Sequence, residues 1–229
     1  MSRFLALALA AGTAIASAAA FAAPTPERIR GTVTSIGADT LVVHTTAGTN
    51  VPVALTGATH YVKLTKSNLD RVDPGSYIGT ATKSIGDRLV ALEVVVFPPS
   101  MKGSGEGHYA WDRIPDTTLS DGGVTASSMT NGTVTTAAPA GGATTVNSAM
   151  TNGTVSSAGE AGGAKQITVT YKGGKQVVIV PPTAPIVAIA PGSRSEVVPG
   201  AAVFINGALE DGKVTARAVA VGIGVKPPM

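Results

Sequence analysis

Apolar and polar residues alternate along most of this chain in short runs bounded by Gly, Pro, Asn or Asp. In residues 28–34, Ile29, Gly31 and Val33 fall on one face and charged or hydroxyl groups on the other, the period of a half-buried strand. Residues 41–45 and 51–55 repeat the pattern, joined by Ala47-Gly48-Thr49-Asn50 as a hairpin connection. Pro52 places the third strand at an edge or a bulge. Residues 59–64 predict a fourth strand and 67–71 a single capped helical turn. A hairpin then opens at Asp73-Pro74-Gly75, turns at Gly86-Asp87 and returns through Leu89 to Val95. There Pro presets φ and Gly supplies the positive φ that chain reversal needs.

The pattern occurs twice. Pro74-Gly75 and Val94 of the first hairpin match Pro199-Gly200 and Val219 at a constant offset of 125, and the strands before the second hairpin follow in the same order, at residues 152–155, 167–171, 176–180 and 186–189. This predicts an all-β chain of two small OB-like β-barrels in tandem, over residues 27–99 and 151–224, joined by a Gly/Ala/Thr-rich linker over 100–150. Inside the linker, Met129-Thr130-Asn131-Gly132-Thr133-Val134 returns as Met150-Thr151-Asn152-Gly153-Thr154-Val155. Either copy can supply the first strand of the second barrel. The later one is favoured, because its shorter connection to Ile167 costs less entropy to close.

Residues 1–22 carry a basic start, a short apolar centre and an Ala20-Phe21-Ala22 ending, the features of a secretory signal cleaved after Ala22. The expected product is periplasmic or secreted, with no membrane span. Cysteine is absent and the formal charge is +3, which removes thiolate chemistry and leaves only scattered basic residues. Nucleic acid is disfavoured as a partner, since Tyr61, Tyr77 and Tyr171 are dispersed and form no stacking ladder.

The runs from Arg30-Gly31-Thr32-Val33 to Val95 and from Asn152-Gly153-Thr154-Val155 to Val221 resemble the bacterial exported domain of unknown function numbered 5666. The resemblance covers both modules and most of the mature chain. It implies two OB-like barrels and no established activity.

The stretch from Met101 to Asp112 departs from barrel patterning and contains Trp111, the single tryptophan of the chain. Glu106, His108, Trp111 and Asp112 are the candidate ligand-binding residues: the carboxylates and imidazole suit a metal or an anion, and the indole suits docking of the loop on the first barrel. The glycines of this stretch lack the strand-loop-helix context of a phosphate loop. His44 and His60 fit no metal-ligand spacing, and no frame orders Ser, His and Asp into a triad. The sequence therefore points to an exported, non-catalytic binding or envelope-interaction module without a cofactor. Its partner is an envelope protein or a small anionic or metal ligand. Oligonucleotide or oligosaccharide binding by the OB-like face, and hydrolysis near His108, are the remaining alternatives.

Overall fold

The computed structural model describes residues 23–119, 123–139 and 164–227. The chain is all-β. Its strands are β1 (Thr25–Ile36), β2 (Thr40–Thr45), β3 (Asn50–Ala54), β4 (His60–Lys66), β5 (Tyr77–Ile85), β6 (Arg88–Phe97) and β7 (Gly107–Pro115), then β8 (Val124–Pro139), β9 (Lys165–Tyr171), β10 (Gly174–Val180), β11 (Ile186–Pro191), β12 (Ala202–Glu210) and β13 (Lys213–Ile223). Single 3-10 turns at Leu69–Arg71 and Arg194–Glu196 precede the two Pro-Gly hairpins, and a third lies at Pro99–Met101.

Each module begins with a three-stranded antiparallel meander, β1-β2-β3 or β8-β9-β10. The hairpin that completes each meander comes from the other module. Strand β12 pairs with β1, and β13 closes on β3 through parallel pairing of Val214 and Thr215 with Val53 and Ala54. Strand β5 pairs with β8, and β6 closes on β10 through Val178 and Ile179 against Leu89 and Val90. The apolar clusters follow the same division. One joins Val33, Leu41, Val43 and Val53 to Val203, Ile205, Val219 and Val221, and another joins Ile78, Ala91 and Val94 to Val134, Ile167, Val169 and Val178. Closed five-stranded pairing is thus present, but one barrel per module over 27–99 and 151–224 is not. The hairpins are exchanged within a single chain, the intramolecular counterpart of a domain swap.

The exchange is fixed by the strand that precedes each hairpin. Strand β4 and one 3-10 turn connect the β1-β2-β3 meander to the hairpin that joins the other one. Strand β4 pairs with β13 on one side and antiparallel with β11 on the other. In that second ladder Val62 faces Pro191, Leu64 faces Ile189 and Lys66 faces Val187. At the offset of 125, Leu64 and Ile189 are each other's equivalents, so a pseudo-two-fold axis passes through their pairing. Leu64, Ile189, Val95, Val187, Phe204 and Ala220 form the apolar cluster between the two halves. Val72 and Val197, equivalent residues following the 3-10 turns, are buried in the barrel that each turn's hairpin joins.

The tract expected to be a linker contains two of the strands. Ile114, Met129 and Val134 are buried, together with Thr130 and Asn131. Large apolar residues are few here because the strand fits by close approach: a Cβ on Gly132 would lie 2.3 Å from the Thr170 carbonyl oxygen, as one on Gly31 would press on the His44 carbonyl. Each Gly-Thr-Val run continues into a β-bulge, after Val33 in one case and Val134 in the other. The earlier copy of the duplicated segment therefore forms the first strand of this barrel, contrary to the loop-closure argument. The entropy difference between closing a shorter and a longer loop grows only logarithmically and is outweighed by strand pairing on both edges of β8. The later copy and the leader lie outside the described residues.

Two outcomes follow from this arrangement. Gly132→Ala should lower unfolding stability by about 1–3 kcal/mol through overpacking, whereas Gly153→Ala should leave it unchanged; urea denaturation of the two variants distinguishes the copies. A protease site inserted between residues 140 and 163 should, once cut, yield two fragments that co-elute on size exclusion and separate only in denaturant. Halves that separate under native conditions would contradict the exchange.

Candidate functional site

The four residues singled out in the sequence fall into two groups. The segment leading to β7 is pinned by Tyr77, whose hydroxyl donates to the Ser104 carbonyl at 2.9 Å, and by Asn131, whose Nδ2 donates to the Gly105 carbonyl at 2.8 Å. Glu106 accepts the Lys172 backbone N–H at 2.9 Å. His108 Nδ1 lies 2.9 Å from Thr130 Oγ1, and its ring stacks on Tyr171 with centroids 6.3 Å apart. Both residues thus serve the β7-β8-β9 face.

Trp111 and Asp112 turn toward β1. In the β7–β8 ladder Ala110 faces Ser128 and Arg113 faces Ala126, so Trp111 and Asp112 together oppose Ser127, and such a bulge re-aims side chains. Ser127 Oγ closes it by donating to the Asp112 carbonyl at 2.7 Å. The Trp111 ring lies under the Arg28 guanidinium, 4.0 Å from its centroid, and 6.5 Å from the Phe204 ring. Asp112 Oδ2 accepts from Arg30 Nη1 at 2.7 Å. Burial pushes the Asp112 carboxyl upward, but hydrogen bonds from Arg30 and the Arg113 N–H, with the charges of Arg30 and Arg28, outweigh it and hold the group below the usual carboxylate range. The indole packs against Arg28 and Phe204 and also against the apolar cluster of Ala81, Leu92, Ile114 and Met129, and the four residues do not converge. Among the described residues no group of three or more His, Asp or Glu is placed to hold a metal ion.

The structure brings forward two residues that sequence reasoning passed over, Arg30 and Glu93. Glu93 is 1% exposed and, among the described residues, neither of its carboxyl oxygens accepts a hydrogen bond. Burial raises its pKa to about 8, against the opposing pull of the Arg30 charge. A carboxyl group in this position is costly to the fold. Its twin shows that the architecture does not require it. Glu93 faces Ala81 next to the β6 bulge, and at the equivalent place in the second hairpin Ala218 faces Asn206 next to the β13 bulge. The same local geometry is therefore built once with a methyl group and once with an acid. The signal was visible in the sequence as a lone charge inside the run Leu89-Val90-Ala91-Leu92-Glu93-Val94-Val95. Arg30, on the polar face of β1, gave none.

Arg30 and Glu93 line a cavity of about 500 Å³ at the junction of β1, β6 and the C-terminal segment. Leu92, Val203 and Pro185 supply apolar wall, and Thr32 and Lys226 contribute polar groups. With Nη1 of Arg30 committed to Asp112, its Nε and Nη2 remain buried without a partner among the described residues. The arrangement offers binding chemistry: a cation with free donors, a carboxyl group held neutral near pH 7, and a partly open, mostly apolar cleft.

Scans of this chain against protein-family models, curated proteins and solved structures return no match. Among the described residues, no helix is long and apolar enough to cross a membrane.

The raised Glu93 pKa sets a stability profile. Between pH about 4.5 and the folded pKa of about 8 the native state keeps a proton that the unfolded state releases. Its contribution, full below the unfolded pKa, is lost as pH rises through this window at up to about 1.4 kcal/mol per pH unit. Glu93→Gln removes this titration. Its stability relative to the parent should therefore increase steadily from pH 5 to pH 8 in urea denaturation, and a constant difference would contradict the raised pKa.

Proposed function

We propose that this chain is an exported, non-catalytic binding module that takes a small anionic ligand in the cavity beside Arg30 and Glu93. The observation that carries the reading is the buried Glu93, unpartnered among the described residues and replaced by Ala218 in the otherwise equivalent second hairpin. A group that burdens the fold and that its twin omits is best explained by a site. The sign of the ligand follows from the cavity's charges. Arg30 and Lys226 contribute positive charge, and Glu93 is mostly protonated at neutral pH. Asp112 compensates part of the Arg30 charge, leaving the Nε and Nη2 donors for an incoming acceptor. Export is supported by the pattern of residues 1–22, and the resemblance to the domain of unknown function 5666 supports an envelope setting.

In this reading the bulged segment of β7 is a positioning element. Trp111 and Asp112 hold Arg28 and Arg30, while Glu106 and His108 fasten the other end of the strand. Thermal-shift measurements of the full chain against small carboxylates, phosphate and sulfate should show a rise in melting temperature for at least one anion. That rise should be lost in Arg30→Met and kept in His108→Ala. Absence of a shift with every anion, or an undiminished shift in Arg30→Met, would reject the site.

A further inference from the structure

We infer that the ligand is a small monocarboxylate with a short apolar body, bound to the side edge of the Arg30 guanidinium and to the Glu93 carboxyl group, so that each molecule is held together with one proton. This deepens the proposed function and rests on the same cavity.

The geometry of Arg30 comes first. Its Nη1 is engaged by Asp112 at 2.7 Å, while Nε and Nη2 have no partner among the described residues. In a planar guanidinium these two nitrogens direct N–H bonds from the same edge, spaced to meet both oxygens of one carboxylate. The ring of Phe204 lies 4.9 Å beneath the guanidinium carbon and covers its face, so recognition is left to the edge. The enclosure decides between anions. Its wall includes Leu92, Val203, Pro115 and Pro185, which suit a hydrocarbon body. A tetrahedral dianion would require further donors and would bring two charges to an arginine already partly compensated.

Glu93 completes the site. Two carboxyl groups can share a position only if one carries a proton, because two adjacent carboxylates repel. The proton then bridges them: Glu93 O–H donates to one oxygen of the ligand, and no covalent bond changes. The charged groups around this position are Arg30 of β1, Asp112 of β7 on its far side, and Lys226 of the C-terminal segment. Asp116, next in sequence to the cavity residue Thr117, is occupied by Lys83 at 2.6 Å. Glu93, whose burial raises its pKa to about 8, is the carboxyl group that carries the shared proton near neutral pH. Arg30 and Glu93 line the cavity with their unpartnered polar atoms buried, so binding requires lining side chains to shift, the exposed Lys226 among them.

The test is calorimetric titration of the full chain with butyrate, inorganic phosphate and butylammonium at several pH values. Butyrate should bind. Its affinity should fall about tenfold per pH unit once the pH exceeds the Glu93 pKa, as expected when only the protonated form is competent. Heats measured in two buffers of different ionisation enthalpy should reveal proton uptake on binding at pH 8 and above. Glu93→Gln, which retains a donor of similar shape, should keep binding and lose the pH dependence. Phosphate or butylammonium binding without butyrate overturns the carboxylate inference while leaving a cavity that binds ligand. Butyrate binding with no pH dependence in the parent chain overturns the role of Glu93, and this arm requires no variant to fold. If none of the three probes binds, the inference is overturned; the anion reading then stands or falls on the broader thermal-shift series.

Discussion

The antiparallel pairing of β4 with β11 is the contact on which this structure depends. Five residues of each strand pair across the pseudo-two-fold axis, from Val62 opposite Pro191 to Lys66 opposite Val187, and the paired strands deliver the two hairpins to opposite sides. If this ladder were absent, each hairpin could close on its own meander and form many of the same within-barrel contacts. What would be lost is the apolar seam around Leu64, Ile189, Val95 and Phe204. Exchange therefore adds contacts between the halves beyond those needed to complete either barrel. The candidate cavity depends on it as well, because Arg30 comes from one closed set of strands and Glu93 from the other.

At that junction the internal symmetry is broken. Position for position, the two hairpins share their Pro-Gly entry, their bulge and their closing pairs, but Glu93 stands where the second copy has Ala218. A duplicated architecture contains its own control: what both copies retain answers to folding, and what one copy alone possesses answers to something else. Strand β7 belongs in the second category. It has no counterpart in the other module among the described residues, and its bulge places Trp111 and Asp112 against Arg28 and Arg30.

Much of the architecture was legible because turn chemistry and a period of two are local properties. The Pro-Gly hairpins, the alternation of Ile29, Gly31 and Val33, and the short turns before each hairpin all lead to elements that are present, though Asn68 makes no side-chain cap on the first turn. Partner choice among strands was not legible, since the outward pattern of β5 is the same whether it meets β1 or β8. The two modules are near-equivalent, and nothing in either hairpin states which meander it completes. The tract around Met129 was misassigned for a related reason. A strand that packs by the close approach of Gly132 and by buried Thr130 and Asn131 does not show the apolar density that marks a core. In the candidate site, Trp111 could be recognised from its isolation, and Glu93 from its place in an apolar run. Arg30 acquires meaning only from the tertiary contact with Asp112.

Exchange also sets an order of birth. The barrel made by β5, β6 and β8–β10 has all of its strands once Val180 has been synthesised. The barrel that opens the chain, with β1 pairing Thr25 to Leu209 and β3 closing on Val214, must wait for β12 and β13. Its first three strands exist for most of the chain's synthesis as a meander with both outer edges unsatisfied, and long-range closure of this kind is slow. The barrel begun by β1 is thus finished after the one begun by β8, and until β12 and β13 arrive Arg30 lacks the Phe204 ring that covers its guanidinium.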